Sequence, residues 1–154
     1  MLILLLNGPN LNLLGEREPE VYGTTTLRSI EAMVRTRAAQ RQAAIEAVQS
    51  NHEGELIDCL HRARSRVRGV VLNPGALTHY SYALRDAIVA IRPPVAEVHL
   101  LDLDEREESW QKTSVLRDVC AFTIMGKGPR GYVVALDRLL DRCGAPPAFG
   151  GGVE

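Results

Sequence analysis

Residues 69–100 read GVVLNPGALTHYSYALRDAIVAIRPPVAEVHL. Gly69–Leu72 is a short, unbroken apolar run of the kind buried on both faces of a parallel sheet. Asn73-Pro74-Gly75 breaks it. Tyr80, Leu84, Ala87 and Ile91 then recur at spacings of three and four, the period of an amphipathic helix. Pro93-Pro94 ends the helix, and Val95–Leu100 returns to strand. Outward from this unit the same alternation repeats. Leu2–Leu6 predicts a first strand. Leu27, Ile30, Val34, Ala38 and Arg41 predict a helix from about Thr26. Ala44–Gln49 is read as the second strand because the alternation needs one there and Ser50-Asn51 ends it. Leu56, Leu60, Ala63 and Val67 predict the next helix, Val119–Met125 the fifth strand, and Val133, Leu136, Leu140 and Cys143 the last helix.

Alternating strands and helices imply an α/β protein with a parallel sheet covered on both faces. Five strands suggest a flavodoxin-like three-layer sandwich of order 2-1-3-4-5, whose ligands bind beyond the carboxyl ends of the strands. The expected organisation is one catalytic domain over residues 1–143 and a loose tail over 144–154, GAPPAFGGGVE.

The 154 residues suit one domain, and a formal net charge of −1 points to neither a nucleic-acid backbone nor an anionic membrane as partner. Cys59, Cys120 and Cys143 form no CxxC pair, which fits a reducing, cytoplasmic setting. The apolar run Met1–Leu6 is too short for a signal peptide or a membrane span.

Polar groups gather at the strand ends. Asn7, Asn10, Asn12, Arg17 and Tyr22 follow the first strand in a connection running from Gly8 to Gly23. That is long for a βα connection, and such loops are commonly functional lids. Asn73, Thr78 and His79 follow the third strand, Glu97 and His99 lie in the fourth, and Arg106 follows. Two residues apart on a strand, Glu97 and His99 share a face. A carboxylate beside an imidazole favours the imidazolium, a competent general acid near neutrality. A phenol titrates near pH 10, and bringing one toward 7 takes about 4 kcal/mol. Tyr22 therefore serves as a base only if a closed lid sets a cation such as Arg17 against it.

Other signals carry less. Gly126, Gly128 and Gly131 match GxGxxG, but no later strand supplies the ribose-binding acid. His52-Glu53-Gly54-Glu55-Leu56 lacks the second histidine of HExxH, and no metal-ligand spacing is present. Arg62, Arg64, Arg66 and Arg68 read as a solvated helix end.

Taken together, LNGPNLNLLGEREPEVYG (6–23), QSNHEGELID (49–58), NPGALTHYSYALRDA (73–87), EVHL (97–100), REE (106–108) and, less specifically, GPRGY (128–132) resemble the type II 3-dehydroquinate dehydratases over almost the whole chain. The resemblance implies a hydro-lyase that converts 3-dehydroquinate to 3-dehydroshikimate by anti elimination through an enolate, in shikimate biosynthesis or quinate breakdown. It implies a small cyclic hydroxy-keto acid as ligand, no metal or organic cofactor, and a dodecamer built from trimers. Carried across, Tyr22 is the base and Arg17 its cation. Asn10 holds a water on the enolate oxygen. His99, partnered by Glu97, protonates the leaving hydroxyl. Asn73 and His79 hold substrate hydroxyl or carboxylate groups, Arg106 lines the closed site, Asp86 reaches a neighbouring subunit's site, and the backbone N–H groups of Leu100 and Leu101 bind carboxylate.

Two positions depart from the family pattern: Leu101 replaces a serine and Trp110 an arginine. They motivate an alternative, dehydration of an amino- or otherwise modified dehydroquinate in specialised metabolism. A non-catalytic ligand-binding paralogue is a third possibility, opposed by the retention of Arg17, Tyr22, Glu97 and His99 together.

Overall fold

A computed structural model describes residues 1–145. In chain order these form β1 (Leu2–Asn7), α1 (Pro19–Tyr22), α2 (Leu27–Gln40), β2 (Ala44–Gln49), α3 (Glu53–Ala63), β3 (Gly69–Asn73), α4 (Tyr82–Ala90), β4 (Val95–Val98), β5 (Phe122–Ile124) and α5 (Arg130–Arg142). Four short 3-10 turns intervene at Leu11–Leu13, Gly75–His79, Leu103–Glu105 and Ser109–Lys112. All strand pairs are parallel and the order is β2-β1-β3-β4-β5, the expected flavodoxin-like arrangement.

Period-two alternation divides the core. Ile3, Leu5, Val71, Ala96 and Val98 face one way and pack with Ile30, Val34, Leu136 and Leu139 of α2 and α5. Leu4, Leu6, Val70, Leu72 and Val95 face the other way, onto Leu56 and Leu60 of α3 and Leu84 and Ile88 of α4. Arg41, just past α2, is buried and reaches Asp137 and Asp141 of α5 at 3.1 and 2.6 Å, tying two helices of one layer.

Several boundaries differ from the sequence reading, each for a local reason. The 8–23 connection is not plain loop: it contains the Leu11–Leu13 turn and α1, which Pro19 starts at the first helical position. Tyr80 lies outside its helix, because the Ser81 hydroxyl accepts from Leu84 N–H and caps α4 one residue later. Val67 falls beyond α3 but stays buried. Val119 and Cys120 bond back to the Leu116 carbonyl in a turn, so β5 is confined to three residues. At the end of α5, Gly144 (φ 74°) donates to Asp141 O and Ala145 N–H to Leu140 O, a Schellman cap. The remainder of the tail expected to be loose, residues 146–154, lies outside the described residues. Among the described residues no helix is long and apolar enough to cross a membrane.

Candidate active site

At the carboxyl edge of the sheet, Glu97 pairs in register with Leu72 on one side and Thr123 on the other, and is fully buried. A carboxylate there is costly unless partnered. Its Oε1 accepts from Thr78 Oγ1 (2.5 Å), Ser114 Oγ (2.9 Å) and His99 Nε2 (2.8 Å), and its Oε2 from Thr123 Oγ1 (3.1 Å). Burial by itself would raise the carboxyl pKa. The hydrogen bond and charge of His99, with the Thr78 and Ser114 hydroxyls, outweigh it and hold the group below its usual range.

His99 lies one residue past β4, yet its N–H donates to the Ile124 carbonyl at 2.9 Å, so the ladder fixes its backbone. A carboxylate only accepts, so Nε2 carries the proton in that bond and Nδ1 is the nitrogen available to a ligand. His79 closes the 3-10 turn after β3, and its Nδ1 lies 2.6 Å from the Thr113 carbonyl. That oxygen also only accepts, so Nδ1 is the protonated nitrogen. Burial, reinforced by the charges of His99 and Arg106, keeps the His79 pKa below its ordinary 6.5, against the pull of Thr113. Consecutive residues thus hold both imidazoles: Thr113 binds His79 directly, and Ser114 binds His99 through Glu97. Sequence reading missed this pair, because a Thr-Ser in a loop carries no periodic or motif signal.

On the other face of the sheet, Asn73 Nδ2 donates to the Tyr132 hydroxyl (2.8 Å), which donates to Asn7 Oδ1 (2.8 Å). Asn73 Oδ1 accepts from Gly75 N–H (3.1 Å), so both ends of the amide are oriented, with one N–H still open to a ligand. Gly8 N–H donates to the Asn73 carbonyl at 2.8 Å, and a Cβ on Gly8 would lie 2.5 Å from the Pro74 carbonyl oxygen. Only glycine permits that approach.

The 8–23 segment is anchored by Leu11 and Leu14 in the core, and by Asn10 N–H donating to Asn51 Oδ1 (2.9 Å). Gln49 Nε2 braces Asn51 (3.1 Å) and the Gly8 carbonyl (3.2 Å), a support that sequence reading did not single out. Tyr22, the last residue of α1, is half-buried against the same cluster. The Arg17 guanidinium carbon lies 5.4 Å from the centroid of its ring, while Arg17 Nε pairs with Glu18 at 3.0 Å. Arg17 therefore covers the ring face, as a cation–π contact.

These pieces enclose one cavity of about 240 Å³. Asn10, Arg17, Tyr22, Asn73, His79, His99, Leu100, Leu101 and Arg106 all line it, so most of the expected site residues are brought together. Glu97 stands behind His99 without lining the cavity, and Asp86 lies on the exposed face of α4, outside it. Trp110 lines the cavity too, its ring edge-on to His79 with centroids 5.1 Å apart. Leu103 and Gln111 line it without having been flagged.

The pKa shifts set a sign for acid stability. A group whose folded pKa is depressed stabilises the fold above its unfolded value, and that stability is lost as pH falls toward the folded value. His79 therefore contributes a loss beginning below about pH 6.5 and Glu97 a further loss beginning below about 4.5. Thermal melts across this range should show His79→Asn lacking the first decline and keeping the second. A variant profile parallel to wild type would remove His79 as its source.

The class II dehydroquinase family model matches residues 1–140. A catabolic 3-dehydroquinase of Aspergillus flavus is 52% identical over 139 residues, covering 90% of this chain and 92% of the relative. A 3-dehydroquinate dehydratase of Bacillus cytotoxicus is 50% identical over 142 residues, covering 92% and 97% respectively. The crystal structure of a type II dehydroquinase from Butyrivibrio crossotus matches with a TM-score of 0.87 at 42% identity, over 90% of this chain and 97% of that one. By sequence, by fold and by the residues gathered at the sheet's carboxyl edge, the chain belongs to the class II dehydroquinases.

Proposed function

We propose that this chain dehydrates 3-dehydroquinate to 3-dehydroshikimate by anti elimination through an enolate. The observation that carries the reading is that Tyr22 and the Glu97-backed His99 line the same cavity. The Tyr22 phenolate, stabilised by Arg17, removes the proton next to the ketone, and the C–H electrons pass to the ketone oxygen. Asn10 holds a water on that oxygen, an oxyanion-type role. As the enolate collapses, the carbon–oxygen bond breaks and His99 delivers the proton on Nδ1 to the departing hydroxyl, which leaves as water. Nε2 stays on Glu97 throughout, so the ring keeps its orientation as its charge changes. Asn73, His79, Arg106 and the N–H groups of Leu100 and Leu101 hold the ring hydroxyls and carboxylate. The test is the ultraviolet absorbance of the conjugated enone when purified protein meets 3-dehydroquinate; tight binding without enone formation would defeat the proposal.

Asp86, exposed on α4 and outside its own cavity, suits a contribution to a neighbouring subunit's site in a dodecamer of trimers. A fully active monomer would remove it from the site.

A second reading keeps the chemistry and changes the ring substituents, because both departures from the family pattern, Leu101 and Trp110, line the cavity. A lost charge-assisted hydrogen bond is worth about 1.5–3 kcal/mol, roughly ten- to a hundredfold in binding. On the first reading Trp110→Arg lowers KM for 3-dehydroquinate by about tenfold or more with kcat little changed. If instead the variant loses activity while wild type turns over an amino-substituted analogue faster, the second reading holds.

A further inference from the structure

At the opposite, amino-terminal edge of the sheet, Arg64, Arg68, Arg92 and Arg142 line a second concavity, of about 470 Å³. We propose that it is a binding site for a small polyanion carrying two or more phosphate or carboxylate groups. The sequence run Arg62–Arg68 resolves into two sets. Arg62 is taken up by the Cys59 sulfur at 3.1 Å and Arg66 by Glu46 at 3.2 Å. Arg64, whose guanidinium donates to the His61 carbonyl of α3, and Arg68 instead join arginines from two distant parts of the chain. Among the described residues no carboxylate lines the concavity, and none of the four guanidinium groups is ion-paired to one.

The ordinary explanation for arginines here is helix-end compensation. Arg64 caps α3, Arg142 ends α5, and Arg92 follows α4 by two residues. Each helix carboxyl end carries about half a negative charge. Three such ends amount to about −1.5 against four full positive charges, so most of the positive charge is left uncompensated. In a chain of net charge −1 that is a strong local concentration. Pro93 and Pro94 form part of the wall and bring no N–H donors, and the Cys143 thiol is turned away to the Arg68 carbonyl at 3.2 Å. Recognition therefore falls to the guanidinium forks, whose geometry suits phosphate and carboxylate oxygens. The concavity is open to solvent, and its volume falls within the range of small-molecule sites.

The experiment is calorimetric titration of the full-length protein with inorganic pyrophosphate at low ionic strength, repeated on Arg92→Gln/Arg142→Gln and on Arg106→Gln. Saturable binding is expected for wild type, weakened tenfold or more in the double variant and by added salt, and unchanged in Arg106→Gln, which alters only the catalytic cavity. The double variant should keep full dehydratase activity, which shows that it is folded. Absence of binding to wild type, or binding that survives the double variant, overturns the proposal; loss in Arg106→Gln alone assigns the anion to the catalytic cavity and overturns it equally.

Discussion

Tyr22→Phe is expected to lose a hundred- to ten-thousandfold in kcat on 3-dehydroquinate, the range that general acid–base groups supply, while ligand binding stays within about tenfold. The asymmetry follows from what holds the ring. Tyr22 is half-buried, and its ring is held by α1, by the core cluster and by the Arg17 guanidinium 5.4 Å from its centroid. Phenylalanine keeps every one of those contacts and leaves the cavity wall in place. On the proposed mechanism, what disappears is the oxygen that takes the proton, so the transition state suffers and the ground state does not. Arg17→Gln should act in the same direction but less severely, since it keeps the acceptor and removes the cation. Enone formation is read by ultraviolet absorbance and binding by calorimetry with a non-reactive substrate analogue. Near-wild-type turnover by Tyr22→Phe would displace Tyr22 as the base and send the search to the other cavity-lining polar groups.

The strand-end residues were the legible part of this site. Asn73, His79 and His99 follow buried apolar strands, so locating the strands located them, and Glu97 announced itself as a charge inside a run that should be apolar. The order of the sheet followed from the alternation and the count of five strands, even though Ala44–Gln49 showed no clear period. Less legible were the elements too short to have a period. The four residues of α1 cannot display one, and its start rests on Pro19 and a left-handed Glu18 (φ 40°) that no pattern betrays. Val119 and Cys120 look like strand because they are apolar, but their burial is against the α3–α4 layer from a turn. Thr113 and Ser114 were out of reach for a different reason. Their importance lies wholly in partners 34 and 17 positions away, and nothing local distinguishes them from solvent-facing loop residues. Arg17 illustrates the limit on geometry: the sequence placed a cation near Tyr22, while only the coordinates show it over the ring face.

Glu97→Gln is expected to cost ten- to a hundredfold in kcat with KM nearly unchanged. The substitution is isosteric, and the shell around it can adapt. The amide oxygen can still accept from His99 Nε2 and from the Ser114 and Thr78 hydroxyls, while the amide nitrogen turns to Thr123, whose hydroxyl can accept in place of donating. No cavity opens, so the fold should survive, unlike in Glu97→Ala, which strands three hydroxyls and an imidazole around a void. The carboxylate's negative charge, whose Oε1 lies 2.8 Å from His99 Nε2, is lost, and the ring that delivers the proton in the proposed step loses its counter-ion. The proposed proton delivery from the ring is then weakened, which lowers turnover without touching the contacts that hold the ring. Ser114→Ala offers a graded control: it keeps the charge, removes one donor and the acceptor for the Leu116 and Arg117 N–H groups, and should lower stability more than it lowers kcat. A merely structural Glu97 would give the reverse pattern, with loss of thermal stability in Glu97→Gln and a kcat nearly unmoved. A loss of kcat in Glu97→Gln that Ser114→Ala does not share ties the proposed acid step to the buried charge on β4.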